Sequence, residues 1–129
     1  MLKKIWLSLA LLWTGIILYL CLIRASSLPS IDVTNLDKFV HAFFHFVFII
    51  LWFLALHFSF RSQSHVKLLG IVFFTSLLFG ITIELFQAFF TATRNGDFVD
   101  VLSNTTGALL AVFLLAILDK RGFLNRNPE

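Results

Sequence analysis

Charge is scarce in this sequence. Ten Lys or Arg and seven Asp or Glu in 129 residues are too few to keep a soluble domain of that length in solution. Cysteine is nearly absent as well: Cys21 stands alone, which excludes an internal disulfide and a cysteine-rich metal site. The charges that do occur form no basic stripe beside the aromatic residues, which argues against nucleic acid as a partner. Period-2 alternation is missing, and so are internal repeats and low-complexity tracts. What remains is apolar: 59% hydrophobic residues and a mean hydropathy of +0.93 place the chain among integral membrane proteins.

Apolar runs fall at about 5–23, 39–60, 66–90 and 98–118. Each is near or above the ~20 residues that carry a helix across ~30 Å of hydrocarbon. In lipid every backbone N–H and C=O must be satisfied within its own segment, so isolated strands are excluded. The expected fold class is all-α, a four-helix transmembrane bundle forming one domain over residues 1–129. The first run has Lys3 and Lys4 before it and Ala25, Ser26 and Ser27 after it, as a secretory signal would. It is nevertheless longer than a signal's apolar region of about 7–15 residues. Trp13 and Tyr19 suit a membrane anchor, and Leu20 is too large for lipoprotein processing at Cys21, so a retained first span is expected.

Lys3, Lys4, Arg61, Lys67, Lys120, Arg121 and Arg126 flank one side, against Arg24, Lys38 and Arg94 on the other. Such a bias puts both termini in the cytoplasm. The outer side then holds Asp32, Asp37, Asp97 and Asp100. The connection from Arg24 to Leu36 has a turn-forming composition and reads as a cover or lid; Asn95-Gly96 marks a tighter turn, and the tail from Asn125 is expected to fray.

Three of the expected helices carry polar residues at helical spacing. Asp37, His41 and His45 lie at i, i+4 and i+8; Ser76, Gly80, Glu84 and Gln87 share one side of the third helix; Asp97, Asp100, Asn104 and Gly107 share one side of the fourth. At ~1.5 Å per residue, Glu84, Asn104 and His45 sit roughly 9 to 12 Å from the outer helix ends, and Gln87, His41 and Asp100 roughly 4 to 6 Å. The stripes therefore meet at common depths. Small residues at Ser76, Gly80, Gly107 and Ala111 let the helices approach.

A carboxyl at the depth of Glu84 costs several kcal/mol unless it is protonated, paired or hydrated, so it needs a partner. His41, His45 and Asn104 are at its level. Acids beside imidazoles in a low-dielectric cleft are suited to general acid or base chemistry. Blander roles compete: Asp97 and Asp100 fit a helix N-cap and its first turn, Asp37 likewise, and Asn104 can simply bond a neighbouring helix. No cofactor is expected, although His41, His45 and Glu84 have the spacing of a weak divalent-metal set. His57 and His65 read as interfacial polar residues near the inner loop.

Two stretches, DKFVHAFFH (Asp37 to His45) and GITIELFQAFFTATRNGDFVDVLSNTTGALL (Gly80 to Leu110), resemble the VanZ-like family of membrane proteins. The resemblance falls on Asp37, Lys38, His41, Glu84, Gln87, Arg94, Asp97, Asp100, Asn104 and Gly107, from the second helix to the fourth. His45 and Ala111 depart from it, standing where an aromatic residue and a second glycine are common. The resemblance implies a bacterial inner-membrane protein associated with tolerance of glycopeptide antibiotics such as teicoplanin. It leads to an expected outward-facing polar pocket that binds, and in an enzymatic version modifies, an envelope lipid or lipid-linked cell-wall precursor. His41, Glu84 and Asp100 would be catalytic, with Glu84 or His41 as base and Asp100 orienting the imidazole. Asp37, Lys38, Gln87, Arg94, Asp97 and Asn104 would bind substrate, with Lys38 and Arg94 at the rim for a phosphate. Two rivals stand beside this: a small proton-linked transporter, whose path would need further walls from homo-oligomerisation, and a non-catalytic interaction protein whose polar cluster only joins helices.

Overall fold

The structure, a computed structural model, describes residues 1–23, 36–90, 97–122 and Leu124. Four helices follow one another: α1 Leu2–Leu22, α2 Leu36–Ser59, α3 His65–Phe90 and α4 Phe98–Lys120. All four are long and apolar enough to cross a membrane. No strand occurs among the described residues. The all-α class and the four spans expected from the sequence are therefore observed, with helix ends within three residues of the expected bounds. The expected lid, the Asn95-Gly96 turn, the frayed tail, and Arg24, Asp32, Arg94 and Arg126 lie outside the described residues.

Side-chain bonds fix the topology. The Trp13 indole donates to the Phe44 carbonyl and Trp52 donates to Thr14 Oγ1, joining α1 to α2. Gln87 near the end of α3 bonds Cys21 at the end of α1, while Glu84 of α3 lies beside His41 near the start of α2, so α1 and α2 run antiparallel. His57 and His65 meet across the α2–α3 turn, and His65 meets Asp119 of α4. Asp97 at the start of α4 meets Glu84 near the end of α3. Up-down connectivity brings Lys3, Lys4, Arg61, Lys67, Lys120 and Arg121 to one end of the bundle and Asp37, Asp97 and Asp100 to the other.

Burial is arranged for lipid rather than for water. Phe39, Phe43, Leu78, Phe89, Phe98 and Phe113 are exposed, while Ser76, Glu84, Gln87, Asn104, His41 and His45 are buried. Hydrocarbon is as apolar as leucine, so it gives large side chains no reason to turn inward; close packing and hydrogen bonds decide what does. Helices α2 and α4 approach so closely at Gly107 that a Cβ there would lie 1.8 Å from the Ala42 carbonyl oxygen. Ile49, Phe53, Leu68, Val72, Ala111 and Leu115 form an apolar plug across the basic half of the bundle. Toward the acidic end, Ile17, Cys21, Phe44, Phe48 and Ile83 join α1 to the rest.

At the basic end a chain of hydrogen bonds runs from Asp119 Oδ1 to His65 Nδ1 at 2.5 Å and from His65 Nε2 to His57 Nδ1 at 3.0 Å. Phe53 stacks on His57. The chain ties the first residue of α3 to the last turns of α2 and α4. His65→Ala removes both bonds from a half-buried site and is expected to cost about 1–2 kcal/mol. Thermal unfolding in detergent checks this, and Asp119→Asn, which keeps an acceptor, should cost less.

Candidate functional site

The acidic end of the bundle carries the site. Asp97 caps α4, its carboxylate accepting from the Val99 N–H at 2.8 Å. Capping with an acid is favoured because the first helical N–H groups are otherwise unpaired. The cap also orients the Asp97 backbone N–H toward Glu84, whose Oε2 accepts it at 3.0 Å. In this way the last turns of α3 and the start of α4 are locked together through a residue expected to bind substrate.

His41 is the hub. Its Nδ1 lies 3.1 Å from Asn104 Oδ1 and 3.9 Å from Glu84 Oε1, and its Nε2 lies 3.8 Å from Asp100 Oδ2. Because the Asn104 oxygen can only accept, Nδ1 donates in this contact, and Nε2 is the nitrogen that faces Asp100. The four residues are deeply enclosed, with 5% of His41, 6% of Glu84, 8% of Asp100 and 3% of Asn104 exposed. Three buried polar atoms nevertheless have no hydrogen-bond partner among the described residues: Glu84 Oε1, Asp100 Oδ1 and Asn104 Nδ2.

Lys38 closes the mouth. Its Nζ lies 3.3 Å from Asp37, 3.5 Å from Asp97 and 3.5 Å from Asp100. The ammonium expected to attract a phosphate is thus surrounded by carboxylates, and it acts first as their counter-ion. Beside it, a groove of about 400 Å³ opens between α2 and α4, lined by Lys38, Phe39, Val99, Leu102, Ser103 and Thr106. That volume is within the range of small-molecule sites.

Of the residues singled out from the sequence, the structure brings together Asp37, Lys38, His41, Glu84, Asp97, Asp100 and Asn104. It draws two others away. Gln87 donates to the Cys21 carbonyl at 2.8 Å and so joins α3 to α1. His45 lies below the cluster and bonds Ser76 Oγ through Nδ1 at 2.7 Å. The group with metal-ligand proximity is accordingly His41, Glu84 and Asp100, with ligand atoms all within 4.8 Å of one another, rather than the set containing His45. Depth along each helix located these residues to within a turn but not their rotation. Sequence reasoning missed the ties from α1 through Trp13 and Thr14, for which buried indole N–H groups, each wanting an acceptor, are the available signal.

Searches of curated proteins and of solved structures find no significant match. A model of the VanZ/LLP1 family matches residues 5–119, from within α1 to within α4, and so includes the first helix, to which the motif resemblance did not extend. Membership of that family agrees with four apolar helices in making this an integral membrane protein: the chain belongs to the VanZ/LLP1 family.

Proposed function

We propose that the acidic end of the bundle faces outward from a bacterial cytoplasmic membrane and binds an envelope lipid or lipid-linked cell-wall precursor, contributing to tolerance of glycopeptide antibiotics such as teicoplanin. The observation that carries this reading is the meeting of His41, Glu84, Asp100 and Asn104, from three helices, in a buried cluster at one end. Burying such groups in a membrane protein is costly, and a purely structural bundle has no need of three buried polar atoms without a hydrogen bond there. The basic residues gathered at the opposite end favour that end, and both termini with it, in the cytoplasm. The lateral groove beside Lys38 suits a molecule with an apolar tail and a polar head.

In the enzymatic form of this reading, His41 or Glu84 is the general base. His41 Nε2 is the nitrogen that the Asn104 bond leaves for proton transfer, and Asp100 and Asn104 orient the ring from its two sides. Asp37, Lys38, Asp97 and, outside the described residues, Arg94 would meet the head group. Gln87, turned toward α1, would shape the pocket wall. The apolar plug between this cluster and the basic end disfavours the transporter reading, since no polar path continues through it among the described residues.

Single replacements His41→Ala, Glu84→Gln and Asp100→Asn are expected to reduce teicoplanin tolerance to the level of cells lacking the gene, while membrane abundance by immunoblot stays near wild type. Wild-type tolerance in all three variants removes the proposal. Tolerance and abundance falling in step would instead identify the cluster as helix-joining glue.

A further inference from the structure

Two carboxylates and an imidazole are packed at the hub with their ligand atoms within 4.8 Å of one another. Like charges at that spacing repel strongly where water is excluded, so a counter-charge is required. Among the described residues, Lys38 is the lysine or arginine that pairs with carboxylates at this mouth, and its contacts are with Asp37, Asp97 and Asp100. Among the described residues Glu84 has no such partner. Its Oε1 is buried and without a hydrogen bond, as is Asp100 Oδ1.

We propose that His41, Glu84 and Asp100 bind a divalent cation that accepts mixed nitrogen and oxygen ligands, of the Zn²⁺ or Mn²⁺ type. One imidazole with two carboxylates is a donor set for such ions, and two carboxylates neutralise the ion's charge within a low-dielectric site. Asn104 supplies the supporting contact: its Oδ1 accepts from His41 Nδ1–H at 3.1 Å. That bond fixes the tautomer and leaves Nε2 to ligate, as second partners of metal-bound histidines do. The Asp97 N–H does the same for Glu84, holding Oε2 at 3.0 Å and leaving Oε1 for the ion. Metal bonds of ~2.0–2.2 Å require ligand atoms about 3 to 3.5 Å apart. The widest-spaced ligand atoms need to close by roughly 1.5 Å, which carboxylate rotations can supply once the ion replaces mutual repulsion.

The inference deepens the functional reading of the same pocket and rests on it for what the ion serves. A cation held by three protein ligands would keep a coordination position open for a lipid phosphate oxygen, an attachment that Lys38, held among carboxylates, does not offer.

The test uses the full chain purified in detergent, stripped with EDTA and titrated with ZnCl₂ and with MnCl₂. Metal content after desalting and the shift in unfolding temperature are both read. Wild type is expected to retain about one ion per chain and to gain stability, and Glu84→Gln and Asp100→Asn are expected to bind more than about tenfold more weakly. His65→Ala, at the far end of the bundle, should bind as wild type does. The inference is overturned by wild type that holds neither metal, by wild-type binding in both carboxylate variants, or by loss confined to His65→Ala. Should a carboxylate variant not fold, the other isosteric variant is read in its place. Metal content is measured without any phenotype, so an apo wild type would leave the tolerance result for the variants standing.

Discussion

Gly107→Ala is expected to abolish both the site and most of the folded protein. The added methyl would lie 1.8 Å from the Ala42 carbonyl oxygen, 2.6 Å from its carbonyl carbon and 2.8 Å from its Cα. All three are backbone atoms, so no rotamer change relieves the clash, and α2 and α4 must move apart by about 1.5 Å to restore van der Waals contact. That movement acts directly on the His41–Asn104 bond, which spans the same two helices at 3.1 Å. Overpacking alone costs about 1–3 kcal/mol, and separating helices along their shared face places this substitution at or above the upper end. Membrane abundance and unfolding temperature should both fall sharply. Two controls define the cause. At Gly80 a methyl would meet side-chain atoms, Asn104 Nδ2 at 3.0 Å and His45 Cε1 at 3.1 Å, which can yield, so Gly80→Ala should fold while perturbing the cluster. At Gly70 nothing lies within 4 Å, and alanine there should be neutral or better, as expected for a helix interior.

How far the sequence reaches can be judged from individual residues. The four spans were legible because length and hydropathy are one-dimensional properties, and α1 to α4 each cover all but at most one residue of the run read from the chain. Depth was accessible to within a turn: a constant rise per residue put Glu84 and Asn104 in one layer and His41 and Asp100 in the layer about a turn nearer the helix ends, and the four meet between them. Rotation about the helix axis was not legible. Gln87 is one turn beyond Glu84 and on the same side of α3, yet a small difference in azimuth sends it to Cys21 of α1 instead of to His41. His45 is likewise one turn from His41 and finds Ser76 instead of Glu84. Partner choice among stripes depends on which helices touch, and nothing in local spacing says that α2 lies against α4 at Gly107 until the backbone approach is seen. The same limit hid the Asp119–His65–His57 chain, whose members are far apart in sequence and whose separate positions gave only interfacial polar residues.

The charge layout at the mouth also follows from topology rather than composition. Asp37 and Lys38 open α2, Asp97 and Asp100 open α4, and these helices run parallel, so their N-termini lie together. Each N-terminus favours acid by its dipole, and pairing two of them concentrates carboxylates. Lys38 offsets part of that concentration by bridging both helices. Glu84 enters from α3, which runs the opposite way and brings the end of its dipole that disfavours acid. Its pairing with the Asp97 N–H supplies what its own helix does not.

Replacing His45 separates the support of the site from the site itself. His45 is almost fully buried, bonds Ser76 Oγ at 2.7 Å, and lies beside the stacked rings of Phe48 and Phe79 at 6.0 and 6.1 Å. His45→Ala leaves a cavity beneath Gly80 and removes the partner of a buried hydroxyl. Large-to-small changes in packed interiors cost about 2–5 kcal/mol. The hydroxyl's share is smaller, because Ser76 can turn to the carbonyl one turn back along α3. A loss of about 2–4 kcal/mol is expected by unfolding in detergent, while Ser76→Ala should cost about 1 kcal/mol. Their coupling in a double-mutant cycle should be positive, since each single change strands the other group. His45 touches Ser76 and the aromatic wall but not the carboxylates, so its loss should lower stability while metal content and residual tolerance per folded molecule stay near wild type. His41→Ala should do the reverse. Loss of tolerance in His45→Ala beyond its loss of abundance would move His45 from the floor of the pocket into its working surface.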